Sequence, residues 1–134
     1  MTKANVEKLY NYWLKGHELD LKSAQVIFEK SKQYVQSLFF LHLAMEKLLK
    51  AAIVKTKQDH APYGHNLSFL ASKTELPWKK DGLHFLIQLN SFNLECRYPD
   101  DQYKIYKKAT QKLVKQYVKE TIRISEWILE ELKK

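Results

Sequence analysis

Hydrophobic residues recur at helical spacing along most of the chain, and this pattern predicts a protein built from helices. A first helix is expected from about Asn5, a residue that caps helix N-termini well, to about Lys30. A second helix is expected from Tyr34 to Thr56, and it is apolar on most of its sides. Such a helix belongs in the middle of a bundle, because there it buries every face against a neighbour.

Two predicted loops separate the remaining helices. The first loop covers 55–64, and a short helix is expected after His65. A further helix is predicted over 82–92. The second loop covers 93–100, because Pro99 disfavours helical backbone at the residue before it.

The last predicted helix runs from Asp101 to Leu132, a length of about 48 Å. One of its faces is apolar, and a roughly opposite face carries the cations Lys104, Lys108, Lys112, Lys115, Lys119 and Arg123. This cationic face is either a solvated surface or a row that follows a phosphate backbone. Val118, Ile122 and Leu129 project to the edge of the same face, which indicates a partner surface, such as that of a second copy.

Composition agrees with the helical pattern. The three glycines and three prolines are too few for a multi-stranded fold, and 45% hydrophobic residues exclude a disordered chain. Cys96 is the only cysteine, which excludes a disulfide scaffold and a cysteine-rich zinc site. We therefore predict an all-α single domain over 1–134, an antiparallel bundle of about five helices with a four-helix up-and-down core and one short helix.

The most apolar window, 35–54, is long enough to suggest a membrane helix, but it contains His42, Glu46, Lys47 and Lys50. Charges in the middle of a bilayer are costly, so a buried central helix is favoured. The N-terminus also lacks the uncharged apolar stretch of a signal peptide. A cytoplasmic protein with no membrane partner is expected.

The 23 Lys and Arg residues exceed the 15 Asp and Glu residues, and the formal charge is +8. The five histidines show no metal-binding spacing, so no metal site is predicted. His42 and Glu46 lie four residues apart on the second helix, and we expect a buried histidine that this carboxylate satisfies. No phosphate-binding glycine loop and no nucleophile motif is present, and no cofactor is predicted.

The segment ArgTyrProAsp (97–100) is the most distinctive in the chain. It places the Arg97 guanidinium on a constrained loop before a helix N-terminus, which suits an anionic ligand. Tyr98 and Tyr103 provide flat rings on which a base can stack. The alternative is a structural loop in which Arg97 pairs with Asp100 or caps a neighbouring helix.

Three segments together resemble the HEPN family, the helical domains named for higher eukaryotes and prokaryotes nucleotide-binding. They are SerLeuPhePheLeuHisLeuAlaMetGluLysLeuLeuLysAla (37–51) in the second helix, HisAsnLeu (65–67) at the end of a loop, and ArgTyrPro (97–99) before the last helix. Their order and separations are similar to those of the family across nearly the whole chain.

The resemblance implies a homodimeric helical bundle, often encoded beside a minimal nucleotidyltransferase in toxin–antitoxin pairs. Many members are metal-independent ribonucleases with an arginine, four to six residues and then a histidine. Arg97 matches the arginine, but Gln102, Tyr103 and Lys104 occupy the possible histidine positions. Glutamine cannot act as the general base, and the ordinary pKa values of tyrosine and lysine are about 10.

We therefore predict a protein that binds a nucleotide or RNA, pairs with a nucleotidyltransferase, and has little or no nuclease activity. Arg97 would hold phosphate, Tyr98 or Tyr103 would stack on a base, and Lys104 would lie at the rim. Glu46, Lys47 and His65 are expected to support the site.

One alternative is an active ribonuclease in which His42, His65 or a histidine of the second protomer replaces the missing base. Another is a non-catalytic interaction module whose lysine-rich helix binds an acidic protein.

Overall fold

The computed structural model describes residues 1–93, 104 and 106–134, and within these residues the fold is all-helical with no strand. The helices are α1 (Lys3–Lys30), α2 (Tyr34–Lys57), α3 (Leu67–Lys73), α4 (Lys80–Asn90) and α5 (Gln111–Lys133). The prediction of an all-α helical bundle is confirmed.

Helix α2 is the centre of the bundle and contacts each of the other four helices whose bounds are given above. Its leucines at 38, 41, 48 and 49 are completely buried, as is Met45. Burial on all sides explains why this segment is apolar around most of its circumference. Among the described helices, α2 included, none is long and apolar enough to cross a membrane.

Helices α1 and α2 form a tight hairpin. Only residues 31–33 connect them, so the two helices run antiparallel. The hydroxyl of Ser37 donates to the carbonyl of Ala24 at 2.8 Å, and both residues are fully buried. The cap predicted at Asn5 is wrong, because α1 begins at Lys3 and the side chain of Thr2 accepts the backbone N–H of Asn5.

The short helix expected after His65 is confirmed as α3. The side chain of Asn66 accepts the backbone N–H of Phe69 and thereby caps the helix. The indole N–H of Trp78 donates to the hydroxyl of Thr74 at 2.9 Å, which closes the turn between α3 and α4.

The prediction of one continuous last helix from Asp101 to Leu132 is wrong. Residues 104 and 106–108 are helical, but the helix is interrupted at Ala109 and Thr110. Thr110 has extended backbone, and its hydroxyl accepts the N–H of Leu113, so it caps a new helix. The threonine side chain replaces the hydrogen bond that a continuing helix would have supplied. The predicted row of cations therefore does not lie along one uninterrupted helix.

Helix α5 buries a wider face than the sequence pattern predicts. Its buried residues are Val114, Val118, Thr121, Ile124, Ser125, Ile128 and Leu132, while Ile122 and Leu129 are partly buried against the same core. The inference that Val118, Ile122 and Leu129 form a partner surface is therefore wrong.

The aromatic residues of α5 pack against the region around α4. The ring of Tyr117 lies 5.2 Å from that of Phe85 and 5.6 Å from that of Phe92. Trp127 meets Trp78 with a centroid separation of 4.8 Å. These edge-to-face contacts hold the aromatic side of α5 against α4 and its flanking residues.

Leu48→Ala is expected to lower the free energy of unfolding by about 2–5 kcal/mol, because it removes a fully buried side chain from the centre of α2. Urea denaturation followed by circular dichroism measures this loss. Ile87→Ala on α4 is the control, since Ile87 is 58% exposed and its truncation should change stability little. Equal effects of the two substitutions would contradict the central position of α2.

Candidate functional site

A group of polar side chains lies where α2 meets the start of α3 and the end of α4. We call it the Glu46 cluster, and it comprises His42, Glu46, Lys50, His65 and Asn90. His42, Glu46 and Lys50 follow one another at four-residue spacing, so they share one face of α2. His65 lies in the loop before α3, and Asn90 is the last residue of α4.

The carboxylate of Glu46 is the hub of this cluster. Its side chain is 6% exposed, and each of its two oxygens has a partner. The Nδ1–H of His65 donates to Oε1 at 2.8 Å, and the ammonium of Lys50 donates to Oε2 at 3.1 Å. A buried carboxylate needs such compensation, because it has left the hydration that water provides.

Lys50 is almost as buried as its partner, with a side chain that is 8% exposed. Its ammonium also lies 5.1 Å from the ring centroid of Trp13 on α1. A cation in this position is attracted by the negative face of the indole ring. The pair Glu46–Lys50 therefore links α2 to both α1 and the loop before α3.

His42 is buried as predicted, but the expected satisfaction by Glu46 is wrong. Its Nδ1 lies 4.0 Å from Glu46 Oε1, beyond hydrogen-bond distance. Its Nε2–H instead donates to Oδ1 of Asn90 at 3.3 Å, and the same oxygen accepts the backbone N–H of Leu67. Asn90 therefore ties α2, α3 and α4 together at one point.

Burial lowers the pKa of His42 below its ordinary value of 6.5, while the bond to Asn90 and the charge of Glu46 oppose that change. Burial also lowers the pKa of His17 on α1, although its hydrogen bond to the carbonyl of Ala44 acts in the other direction. Both imidazoles are therefore held in their neutral form within the fold at neutral pH.

Lys47 points away from the Glu46 cluster. Its ammonium forms an ion pair with Asp20 of α1 at 2.7 Å. Its side chain crosses α1 at Gly16, where a Cβ atom would lie only 2.9 Å from Lys47 Cδ. Gly16, a residue type that disfavours helix, therefore leaves room for the stem of Lys47.

The structure brings together Glu46 and His65 from the predicted site and separates Lys47 from them. Lys104 is exposed. The other predicted site residues, Arg97, Tyr98 and Tyr103, lie outside the described residues.

The sequence prediction missed two members of the cluster, Lys50 and Asn90. Lys50 had a signal, since it follows Glu46 by four residues on an otherwise apolar helix. Asn90 had a weaker signal, as a polar residue on the apolar side of α4. Its contact with His42 spans 48 residues of sequence, so no local pattern reveals it.

Within the described part of the chain, no three His, Cys, Asp or Glu residues form a group suited to a metal ion. Glu46 is already engaged by Lys50 and His65. The cluster is thus an arrangement of hydrogen bonds and charges that orients an imidazole at its edge, where the side chain of His65 is 43% exposed.

Comparison with known proteins identifies the family. The family model named HEPN domain matches residues 10–133 of the sequence. The chain belongs to the HEPN family. Membership supports a nucleotide- or RNA-related role at the level of the family.

A solved protein shares the fold of this HEPN chain. The crystal structure of TT1696 from Thermus thermophilus aligns with a TM-score of 0.72 and 19% sequence identity. The alignment covers 91% of this HEPN chain and 97% of that chain, and at this identity it shows the fold alone. No curated protein matches the sequence significantly.

Glu46→Gln is expected to lower the free energy of unfolding of this HEPN domain by about 3 kcal/mol, because Lys50 is left buried without its counter-charge. Urea denaturation at neutral pH measures the loss. Glu130→Gln is the matched control, since its ion pair with Lys133 lies on the surface and contributes little. A Glu46→Gln protein as stable as the control would show that the buried pair makes no net contribution.

The free energy of unfolding is expected to decrease as the pH falls below about 6.5, because His17 and His42 then bind protons more readily in the unfolded chain than in the folded chain. The contribution of the two neutral histidines to stability is complete above the ordinary pKa of 6.5 and is lost as the pH falls through their folded-state pKa values. Each histidine contributes at most about 1.4 kcal/mol per pH unit.

Urea midpoints between about pH 7 and pH 5 measure this slope, which His42→Gln should reduce whatever its effect on stability at pH 7. The control is His84→Gln, whose imidazole is exposed in the folded chain. If His42→Gln and His84→Gln left the same slope, burial of His42 would not be its source.

Proposed function

We propose that this HEPN protein, as one domain over 1–134, binds a nucleotide or RNA and has little or no nuclease activity. In this proposal it is a cytoplasmic homodimer that works with a nucleotidyltransferase-type partner. The observation that carries the proposal is the match of the HEPN domain model to residues 10–133.

Arg97 is the proposed phosphate ligand, because its planar guanidinium donates two parallel hydrogen bonds to an anion. Tyr98 or Tyr103 is proposed to stack on a base, and Lys104 to approach the phosphate from the rim. The exposed position of Lys104 is compatible with that role.

The Glu46 cluster supports the site indirectly. Asn90, which is hydrogen-bonded to His42 and to the backbone of Leu67, precedes Arg97 by only seven residues. We propose that the cluster anchors the chain just before the ligand-binding segment. His65 lies on the exposed edge of this anchor, so it is the member best placed to meet a ligand.

Charge also supports an anionic ligand. The formal charge of the chain is +8, and Lys112, Lys115 and Lys119 are exposed along α5. Arg123 contributes less, since it is paired with Glu120 at 2.8 Å and with Asp81 at 3.5 Å. The unequal pairing concentrates positive potential toward the N-terminal half of α5.

A second candidate function is metal-independent RNA cleavage, and the hydrogen bond between His65 and Glu46 favours it. A carboxylate on Nδ1 orients an imidazole so that Nε2 can accept a proton. His65 would take the proton of a ribose 2′-hydroxyl, and the 2′-oxygen would attack the adjacent phosphorus. The P–O5′ bond would then break, with water supplying the proton to the leaving oxygen.

One experiment separates these functions. RNA binding and cleavage are measured in the presence of chelator for the unmodified protein, Arg97→Ala, His65→Gln and the control Lys30→Ala. We expect no cleavage, and about tenfold weaker binding by Arg97→Ala because a charge-assisted phosphate contact is lost. Lys30→Ala removes one exposed positive charge elsewhere and should bind nearly normally.

Unchanged affinity of Arg97→Ala would contradict the proposed ligand site. Cleavage that disappears in both Arg97→Ala and His65→Gln would favour the ribonuclease instead. A monomeric mass in sedimentation equilibrium would contradict the proposed homodimer.

A further inference from the structure

Helix α1 carries a second apolar row that does not face the bundle. Tyr12, Leu19 and Val26 are 67%, 56% and 45% exposed, and each follows the previous one by seven residues. Seven residues are nearly two helical turns, so the three side chains lie in one line. We call this line the α1 stripe. The buried residues of α1, including His17 and Ala24, lie on the other side of the helix.

The α1 stripe borders a groove between α1 and α2. The groove has a volume of about 320 Å³ and is lined by Tyr12, Trp13, Lys15, Gly16, Leu19 and Lys47. Its floor lies at Gly16, where the stem of Lys47 packs closely against α1 because no Cβ atom is present. Tyr12 and Trp13 meet edge to face at 5.2 Å and form one wall. The groove is therefore shaped to receive an apolar side chain beside the stripe.

A row of positive charge follows the α1 stripe along its outer side. Lys8, Lys15 and Lys22 recur at the same seven-residue interval, and all three are exposed. None of them forms an ion pair with the residues that the structure describes. The combination of an apolar line and a parallel line of cations is the pattern of a helix-binding face.

We infer that the α1 stripe binds an amphipathic helix of a partner protein that carries a row of Asp or Glu residues. The helix places apolar side chains on Tyr12, Leu19 and Val26, and one of them enters the groove at Gly16. Its carboxylates lie along Lys8, Lys15 and Lys22. The contact from Tyr12 to Val26 extends over about 21 Å, or four turns of helix.

Charge favours this occupant over a second copy of the chain. Two α1 helices packed antiparallel through their stripes would bring the same row of lysines together from both copies, and like charges repel. An acidic helix neutralises the row instead. The formal charge of +8 further accelerates encounter with an acidic partner.

The test uses the full chain and two synthetic helical peptides with identical leucine heptads. One peptide has Glu at the flanking positions, and the other has Lys. We expect the Glu peptide to bind at least about tenfold more tightly than the Lys peptide, with affinity that falls as salt is added. Binding is measured by fluorescence anisotropy of labelled peptide.

Two sets of variants locate the binding face. Leu19→Glu places a charge in the apolar line and should weaken binding of the Glu peptide at least about tenfold. Its matched control is Ile87→Glu, because Ile87 on α4 is equally exposed and lies on another helix. The triple substitution K8E/K15E/K22E should reverse the preference, so that the Lys peptide binds more tightly.

The triple variant changes only exposed residues and therefore keeps the inference testable if Leu19→Glu does not fold. Failure to bind the Glu peptide, equal weakening by Ile87→Glu, or an unreversed preference in the triple variant would each overturn the inference. So would a dimer in sedimentation equilibrium that Leu19→Glu dissociates, since the stripe would then belong to a second copy. The peptide-binding results do not depend on RNA or on Arg97, so they are independent of the proposed ligand site.

Discussion

The carboxylate of Glu46 is a charge inside the bundle, and its compensation organises the polar part of the structure. It requires a cation from its own helix, Lys50, and a donor from a distant loop, His65. The ammonium of Lys50 also lies over the ring of Trp13, so α1 takes part in this set of contacts. Removal of any one partner leaves another buried group uncompensated, which makes this small set of contacts sensitive to substitution.

A central helix with polar residues on one face serves two purposes in this HEPN domain. Its leucines provide the apolar contacts that hold the bundle together, and its polar residues hold the loop before α3 and the end of α4 in fixed positions. The proposed ligand residue Arg97 follows shortly after that end of α4. A rigid scaffold favours binding, because protein groups that are already ordered lose less entropy when the ligand binds.

Local sequence patterns predicted the helices that have strong periodicity or clear caps. The bounds of α2 were predicted to within one residue, because its apolar run ends at a cluster of polar residues and Pro62. The break at Thr110 was missed, since threonine caps a helix only when the backbone is already extended there. Arg97 was predicted as a site residue from its loop and the family resemblance, whereas Asn90 gave no comparable local signal.

By itself, the sequence determined the helical class, the central place of α2 and the family resemblance, because periodicity, composition and short motifs act locally along the chain. Only the tertiary structure decided that Asn90, not Glu46, receives the hydrogen bond of His42. It also decided that Val118 is buried while Leu19 remains exposed. Each of these outcomes depends on which helices meet in space, and helical periodicity alone does not specify which apolar face is covered.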